Sequence, residues 1–220
     1  IKPDLVHHFT VKPIMYGSIV SSINKIPNIL NSITGLGHIF LSKNFKAYFI
    51  RKIIVIFYKI YLNKKQFTTI FQNYSDKELF TKLRVLKLGR SLCIRGSGVN
   101  TKFFYPSKKQ TLNKDGKIKI LFPSRILKEK GILELIKACH LLKKENYNYS
   151  LFIAGDIQYI KDKKLLNDFR KLLQGLSVEI LGEVSNMKSI YKDMDLVILP
   201  SWREGLSKAL LEAASMQKGI

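Results

Sequence analysis

The sequence predicts an α/β protein made of two units, each a parallel sheet whose strands alternate with helices. Short apolar runs rich in Ile, Val, Leu and Phe alternate with longer segments that place apolar residues at helical spacing. The strand–helix–strand order implies parallel pairing, because a crossover helix brings the second strand back in the same direction. A polar stretch, residues 101–116, divides the chain. Its 220 residues are sufficient for one large or two small domains.

A βαβ unit opens the chain. Asp4–Phe9 is predicted as a buried strand, Pro13–Ile23 as a helix and Ile29–Ile33 as a second strand. In parallel α/β sheets the ligand crevice lies beyond the carboxyl ends of the strands. This edge of the first sheet is therefore a candidate ligand-binding edge.

Polar and small residues follow these two strands. His7 and His8 stand near the end of the first, and the second runs into the loop Thr34–Gly37, whose glycines let the backbone approach a ligand closely. His38, which follows that loop, is a further candidate for contact with an acceptor. The alternative for the two strand histidines is a polar contact with a helix, and both interpretations stay open.

The segment Phe45–Leu62 combines aromatic and β-branched residues with Lys and Arg. Its composition favours a strand, but its length without a turn signal favours a helix, which is our prediction. The aromatic and basic side chains suit a membrane interface. A core helix with one basic face is the other interpretation.

Three further elements are predicted in the first half. Gln66–Phe71 is a strand candidate and Asp76–Leu83 a short helix. Leu92–Asn100 begins as a strand and meets a turn at Gly96 and Gly98, which we place at the crevice.

The second half repeats the alternation. Strands are predicted over Lys117–Pro123, Ser150–Ala154, Val178–Leu181 and Leu196–Leu199. Helices are predicted over Ile132–Lys144, Leu165–Leu173 and Met187–Lys192, and from about Ser207 onward. The apolar face of the first of these helices is assigned to Leu135, Ile136, Cys139 and Leu142. That of the last is assigned to Leu210, Leu211 and Ala214.

Charged residues follow two strands of the second half. Arg125 and Lys130 come after the first strand, Glu204 comes after the last, and Glu212 lies in the helix beyond it. A guanidinium fork, an ammonium group and a helix N-terminus suit a diphosphate. Carboxylates accept hydrogen bonds, so the two glutamates suit the hydroxyl groups of a sugar and a ribose. An ordinary loop with a surface glutamate pair is the alternative.

Metal binding is not predicted. Asp193–Asp195 forms a DxD pattern, but it precedes a buried strand, at the end away from the crevice, and we assign it a structural role. Cys93, Cys139 and the four histidines lack ligand spacing. Two free thiols suit a reducing cytoplasm.

The order of short motifs resembles that of retaining GT-B glycosyltransferases, the nucleotide-sugar family often numbered four. PSWREGLSKALLEAA is similar to the PSxxEGxxxxxLEA pattern of that family, and DLVHHF, ITGLG, FQN, GSGVN, SRILKEKG, AGD and LGEV precede it in order. The resemblance implies two Rossmann-like domains that face each other across a cleft. The acceptor-binding domain would cover 1–99, an interdomain linker 100–117 and the nucleotide-sugar-binding domain 118–220. We expect both domains to be incomplete, because the chain starts at Ile1 and stops at Ile220, after a helix that normally leads to another strand.

The resemblance also implies transfer of a sugar from a nucleotide diphosphate sugar, a UDP-sugar in our prediction, with retained anomeric configuration. Glu204 would contact the sugar, Glu212 the ribose, and Arg125 with Lys130 would stabilise the departing diphosphate. The other predicted donor-side residues are Gly155, Gly182, Glu183, Val184, Gly205, Leu206 and Ser207. The predicted acceptor-side residues are His7, Thr34, Gly35, Gly37, Gly96 and Gly98, with Thr34 standing where many members carry a His. The nucleotide-sugar is a substrate, and neither a cofactor nor a metal is expected.

The chain is strongly basic, with 38 Lys and Arg against 16 Asp and Glu and a formal net charge of +22. An anionic membrane surface, phosphorylated substrates or nucleic acid would suit this charge, and compositional bias toward Lys would also explain it. The motif subtype resembles bacterial enzymes that build capsule, O-antigen or exopolysaccharide. This implies a polyprenyl-linked or growing glycan acceptor and a cytoplasmic protein peripheral to the inner face of the cytoplasmic membrane. Nucleic acid is not expected, because no recognition motif accompanies the basic residues.

Two rival functions stay open. A sugar-nucleotide epimerase or hydrolase on the same fold would need a carboxylate constellation that handles water or protons, which the sequence does not display. The other rival is a non-catalytic basic binding module, or a truncated remnant of the enzyme.

Overall fold

A computed structural model describes residues 3–36, 40, 44–87, 89–96, 98–106, 116–160 and 163–220. Gly37, one of the predicted acceptor-side residues, lies outside the described residues, as do His38 and Ser97. The chain divides into two compact units, residues 1–97 and 98–220. In the part of the chain so described, no helix has both the length and the apolarity needed to cross a membrane.

The first unit contains a parallel sheet of strand order β1-β2-β3-β4. Its strands are β1 (Leu5–Phe9), β2 (Asn28–Ile33), β3 (Phe67–Phe71) and β4 (Ser91–Cys93). In the register, His8 lies opposite Asn31, and Ile29 lies opposite Phe67. Because these strands run the same way, their carboxyl ends share one edge of the sheet.

Helices connect these strands: α1 (Val11–Ile23), α2 (Phe45–Tyr61) and α3 (Tyr74–Lys82). The helix predicted over Phe45–Leu62 is thus confirmed. Asn44 and Asn73 cap α2 and α3, each accepting a hydrogen bond from a backbone N–H of the first turn. The buried faces pack on the sheet in one apolar core that includes Ile14, Ile29, Tyr58, Phe67, Phe71 and Phe80.

The second unit repeats this plan with a parallel sheet of order β7-β6-β5-β8. Its strands are β5 (Ile118–Phe122), β6 (Tyr149–Ile153), β7 (Val178–Ile180) and β8 (Leu196–Val197). Its helices are α4 (Ile132–Lys144), α5 (Lys163–Leu173), α6 (Met187–Lys192) and α7 (Lys208–Ser215). Ile120 and Phe122 pack in one apolar cluster and Leu121 in another. This is the alternation expected of a strand covered on both faces.

The apolar face predicted for the last helix is wrong at one position. Ala214 is exposed, whereas Ala213 and Met216 are fully buried and Glu212 is nearly so. Alanines occur on both the buried and the exposed side of this helix, so the 3.6-residue apolar pattern fits two different choices of buried face. A buried carboxylate cannot be inferred from an apolar pattern, and the buried positions 212, 213 and 216 each lie two residues beyond the predicted positions 210, 211 and 214.

The DxD pattern and His8, for which a structural role was predicted or left open, each have a hydrogen-bond partner in the fold. The Asp195 carboxylate accepts a hydrogen bond of 2.8 Å from the Lys119 backbone N–H at the start of β5, which agrees with a structural role for the DxD pattern. His8 is buried in β1, and its Nδ1 lies 2.9 Å from the Asn31 side-chain oxygen. Only a glycine at position 17 leaves room for the His8 ring against α1. For His8, contact with a helix is the interpretation that the structure supports.

Part of the predicted linker packs on the second unit. The Phe104 ring lies 6.2 Å from the Tyr191 ring, and the Phe104 carbonyl accepts a hydrogen bond from the Ser215 hydroxyl. Residues 107–115 lie outside the described residues. The domain limits at 99 and 117 stay predictions.

Candidate functional site

A cavity of about 600 Å³ opens at the carboxyl edge of the second sheet. Its walls are the loops 123–127 after β5, 154–156 after β6 and 183–184 after β7, together with side chains of α6 and α7. β8 lies on the opposite side of β5 from β6, so the strand order reverses next to this cavity. Ligands of open α/β sheets bind at such reversal points. The volume is within the range of about 300–1,000 Å³ that is usual for small-molecule sites.

The cavity brings together five residues that were predicted from distant parts of the sequence: Arg125, Gly155, Glu183, Val184 and Glu212. They combine one cation, two carboxylates and a glycine in one recess, which suits a ligand with both anionic and hydroxyl groups. Within the described residues, the walls do not include the predicted Lys130, Gly182, Glu204, Gly205, Leu206 and Ser207. The roles given to all of these residues stay predictions.

Gly155 allows the loops after β5 and β6 to meet. A Cβ atom at this position would overlap the carbonyl oxygen of Ser124. The close packing of the two loops therefore requires a glycine at this position, independently of any ligand.

The Glu212 carboxylate is buried but hydrogen-bonded. Only 8% of the residue is exposed, and the Tyr191 hydroxyl lies 3.3 Å from its Oε2 and 3.1 Å from the Ala209 carbonyl oxygen. Lys208 Nζ lies 3.6 Å from Oε1 at the solvent side. Burial, and then the Glu212 charge, raise the pKa of Tyr191 well above its usual range, so the phenol stays a hydrogen-bond donor. These partners offset the cost of burying the carboxylate.

Removal of the Tyr191 hydroxyl tests this arrangement. Tyr191→Phe is expected to lower the free energy of unfolding by about 1–2 kcal/mol, because the buried Glu212 carboxylate loses a donor. Urea unfolding followed by circular dichroism measures the change. Tyr147→Phe, at a tyrosine that is 57% exposed, is the matched control and should leave stability unchanged. Equal stabilities for the two variants would show that the contact contributes nothing.

Lys130 and Glu204 lie in two loops that are joined to each other. Lys130 Nζ forms an ion pair with the Glu204 carboxylate. The backbone N–H of Trp202 donates a hydrogen bond of 3.0 Å to the Glu129 carbonyl oxygen, and Lys128 Nζ lies 5.7 Å from the centre of the Trp202 ring. The loop after β5 and the loop after β8 therefore form one paired segment beside α7. The predicted Ser207 is the N-cap of α7, and its hydroxyl accepts a hydrogen bond from the Leu210 backbone N–H.

The predicted acceptor-side residues of the first unit follow its strands. His7 is exposed within β1, and its Nε2 lies 2.7 Å from the Ser32 hydroxyl in β2. Thr34 and Gly35 follow β2, and Gly96 follows β4, so they lie at the carboxyl edge of the first sheet. Gly98 is grouped with the second unit.

Three polar residues that line the cavity were missed from the sequence: Ser124, Asp156 and Tyr191. Asp156 belongs to the AGD motif, so its place after a strand was available as a signal. Its carboxylate accepts a hydrogen bond from the Gln158 N–H and caps a short 3₁₀ turn. Tyr191 had no signal, because its contact with Glu212 joins residues 21 positions apart.

Comparisons with family models and with curated proteins both identify glycosyltransferases. The family model described as glycosyl transferases group 1 matches residues 104–219, and the model described as glycosyl transferase 4-like matches residues 1–73. The N,N'-diacetylbacillosaminyl-diphospho-undecaprenol alpha-1,3-N-acetylgalactosaminyltransferase of Campylobacter jejuni is 29% identical over 99% of this chain and 58% of its own length. The capsular polysaccharide biosynthesis glycosyltransferase CapM of Staphylococcus aureus is 26% identical over 98% of the chain and 57% of its own length.

A solved structure shares the fold. The crystal structure of Anabaena HepE in complex with UDP-glucose superposes with a TM-score of 0.78 at 17% identity, over 98% of this chain and 58% of that one. This likeness confirms the GT-B class of α/β fold predicted from the sequence. The chain spans a little under three fifths of the length of the curated relatives named above.

Proposed function

The chain belongs to the glycosyl transferases group 1 family, and on this premise we propose that the protein transfers a sugar from a nucleotide diphosphate sugar to a lipid-linked or growing glycan. One observation carries the proposal: Arg125 and Glu212 line the same cavity at the strand-order reversal of the second sheet. A nucleotide diphosphate needs a cation for its phosphates and an acceptor for its ribose hydroxyls. This cavity offers both.

Each wall of the cavity suits a part of the donor. The buried Glu212 carboxylate would accept hydrogen bonds from the ribose hydroxyls, and its orientation is already maintained by Tyr191. The turn Gly182–Val184 would contact the base through backbone atoms. Arg125, at the exposed side of the cavity, would bind the diphosphate with its guanidinium fork.

The sugar and the leaving group would lie toward the paired loops. Glu204 would contact the sugar, and Lys130 would add positive charge beside the departing diphosphate, so the ligand would compete with their mutual ion pair. Cations that stabilise developing phosphate charge lower the barrier without a proton transfer. We propose retention of the anomeric configuration, with attack from the face of the leaving group, and no requirement for a metal.

The acceptor and the location belong to the same proposal. The C. jejuni relative is named for an acceptor linked to undecaprenol diphosphate, and the S. aureus relative for capsule biosynthesis. We propose a polyprenyl-linked acceptor in bacterial surface polysaccharide synthesis, with the protein at the inner face of the cytoplasmic membrane. The net charge of +22 supports an anionic membrane surface as a partner.

Uracil is the base that we propose for the donor, because HepE, which shares the fold, was crystallised with UDP and UDP-glucose. Calorimetric titration of the full-length protein with UDP, GDP and ADP tests this choice, with and without Mg²⁺. We expect UDP to bind with or without the metal. Glu212→Gln keeps the shape of the side chain and removes its charge. It should weaken UDP binding about 10–100-fold, in the range of a lost charge-assisted hydrogen bond.

Glu179→Gln is the matched control, since Glu179 is an exposed carboxylate of β7 outside the cavity. Its affinity for UDP should equal that of the unsubstituted protein. If the folded full-length protein binds none of the three nucleotides, the proposed function is wrong. If only GDP or ADP binds, the choice of base alone is wrong.

A further inference from the structure

Helix α2 is apolar on two opposite faces. Ala47, Ile54 and Tyr58 are buried against the first sheet. On the opposite side, five large apolar residues are exposed, from 55% for Phe49 to 74% for Phe45. This outer stripe consists of Phe45, Phe49, Ile53, Ile56 and Ile60. At 3.6 residues per turn these five residues fall within an arc of roughly 80°.

Packing inside the unit does not account for the outer stripe. It is the other face of α2 that packs into the core of the first unit, through Ile54 and Tyr58. A single exposed apolar residue on the outer face would need no explanation. Five of them in one narrow arc, on a helix of 17 residues, form a continuous apolar patch of the kind that marks an interaction surface.

The charges on α2 have a single sign. Its 17 residues include Lys46, Arg51, Lys52 and Lys59 and no Asp or Glu. The three lysines are exposed and flank the outer stripe, Lys52 and Lys59 along one border and Lys46 along the other. Lys52 Nζ lies 4.7 Å from the centre of the Tyr48 ring. An apolar stripe bordered by lysines and aromatic rings is the pattern of a helix that lies in the plane of an anionic lipid surface.

The neighbouring helix α1 shows that the charge pattern is specific. It also exposes apolar residues, among them Tyr16, Val20 and Ile23. However, its 13 residues include one lysine and no other charged side chain. Exposed apolar area is therefore shared by the two helices, whereas the lysine borders are a property of α2.

We propose that the outer stripe of α2 inserts into the headgroup region of an anionic bilayer, with Lys46, Lys52 and Lys59 contacting the lipid phosphates. The helix is about 25 Å long at 1.5 Å per residue and carries four cations, so it would lie along the surface. This inference deepens the membrane partner of the proposed function by assigning it to one helix. It does not depend on the donor cavity in the second unit.

Vesicle sedimentation of the full-length protein tests the proposal. The vesicles are phosphatidylcholine alone or phosphatidylcholine with 40% phosphatidylglycerol, at low and high salt. Three lysines near an anionic surface contribute about fivefold in affinity each, so we expect about 100-fold preference for the anionic vesicles at low salt. The double substitution Phe49→Glu with Ile56→Glu should lower binding to anionic vesicles at least about 10-fold, since it places two anions in the stripe.

Val20→Glu, which adds an exposed anion to α1, is the control and should leave vesicle binding nearly unchanged. Thermal unfolding and UDP titration of the same variants show whether the fold and the donor cavity remain intact. A folded double variant that binds anionic vesicles like the unsubstituted protein overturns the proposal. So does a full-length protein that binds no vesicles, which would indicate that another part of the protein covers the stripe. Loss of UDP binding with normal vesicle binding would contradict the proposed function only.

Discussion

Replacing Arg125 by alanine is expected to lower the rate of sugar transfer about 10²–10³-fold, the usual effect of removing one group that stabilises developing charge. Arg125 is a cation in the wall of the proposed donor cavity, in the loop after β5. Lys130, five residues further along, is already paired with Glu204. Because the Arg125 side chain is exposed, the fold should tolerate the change. Turnover of the full-length protein and its urea unfolding midpoint measure the two effects.

Lys128→Ala removes a neighbouring cation from the same loop and serves as the control, because Lys128 does not line the cavity. Its turnover should stay within about threefold of the unsubstituted rate, as expected for a surface charge. Arg125→Lys should restore part of the activity, since it keeps the charge and loses the bidentate geometry. An unchanged rate for Arg125→Ala would remove this residue from the proposed mechanism.

Gly131→Ala is expected to produce the largest loss of stability, about 3 kcal/mol or more. Gly131 has a φ of 74°, and a side chain in that conformation costs roughly 1–2 kcal/mol. In addition, its Cβ atom would overlap the carbonyl oxygen of Pro200. Relief of that overlap must separate the two paired loops, and overpacking of this kind costs a further 1–3 kcal/mol or so. Urea unfolding measures the total.

Gly182→Ala is a close control, because Gly182 has a φ of 69° and nothing within 4 Å of the added Cβ atom. This substitution has only the conformational cost, so the free energy of unfolding should fall by about 1–2 kcal/mol. The difference between the two variants isolates the contact between Gly131 and Pro200. If both variants lose the same stability, the paired loops are not held as closely as the structure indicates.

Periodic, local patterns made most of the fold predictable. Apolar runs marked the strands, and their alternation with helices gave parallel sheets in both units. Segment 45–62 is an example. Its residue types favour a strand, but its length favours a helix, and the structure confirms the helix. The ends of the strands and helices were predicted less accurately. For example, β8 was predicted over Leu196–Leu199 and extends over Leu196–Val197.

The candidate site was predictable where its residues follow strands. Parallel strands bring their carboxyl ends to one edge, and Arg125, Gly155 and Glu183, which the family resemblance assigned to the donor side, all lie in loops that follow such strands. The pairing of Lys130 with Glu204 was not predictable, because nothing in either loop indicates that the other loop lies beside it. Sequence motifs suggested separate roles for these two side chains, and the structure shows that they form an ion pair with each other.

The sequence by itself determined the α/β class, the order of elements and the list of charged residues near the crevice, because these depend on patterns within a few turns of chain. Only the tertiary structure decided which face of α7 is buried, since Glu212 is tolerated inside through a hydroxyl from α6. The same holds for the outer stripe of α2. An apolar residue is apolar on either face of a helix, and only packing decides which face is buried in the core and which stays exposed.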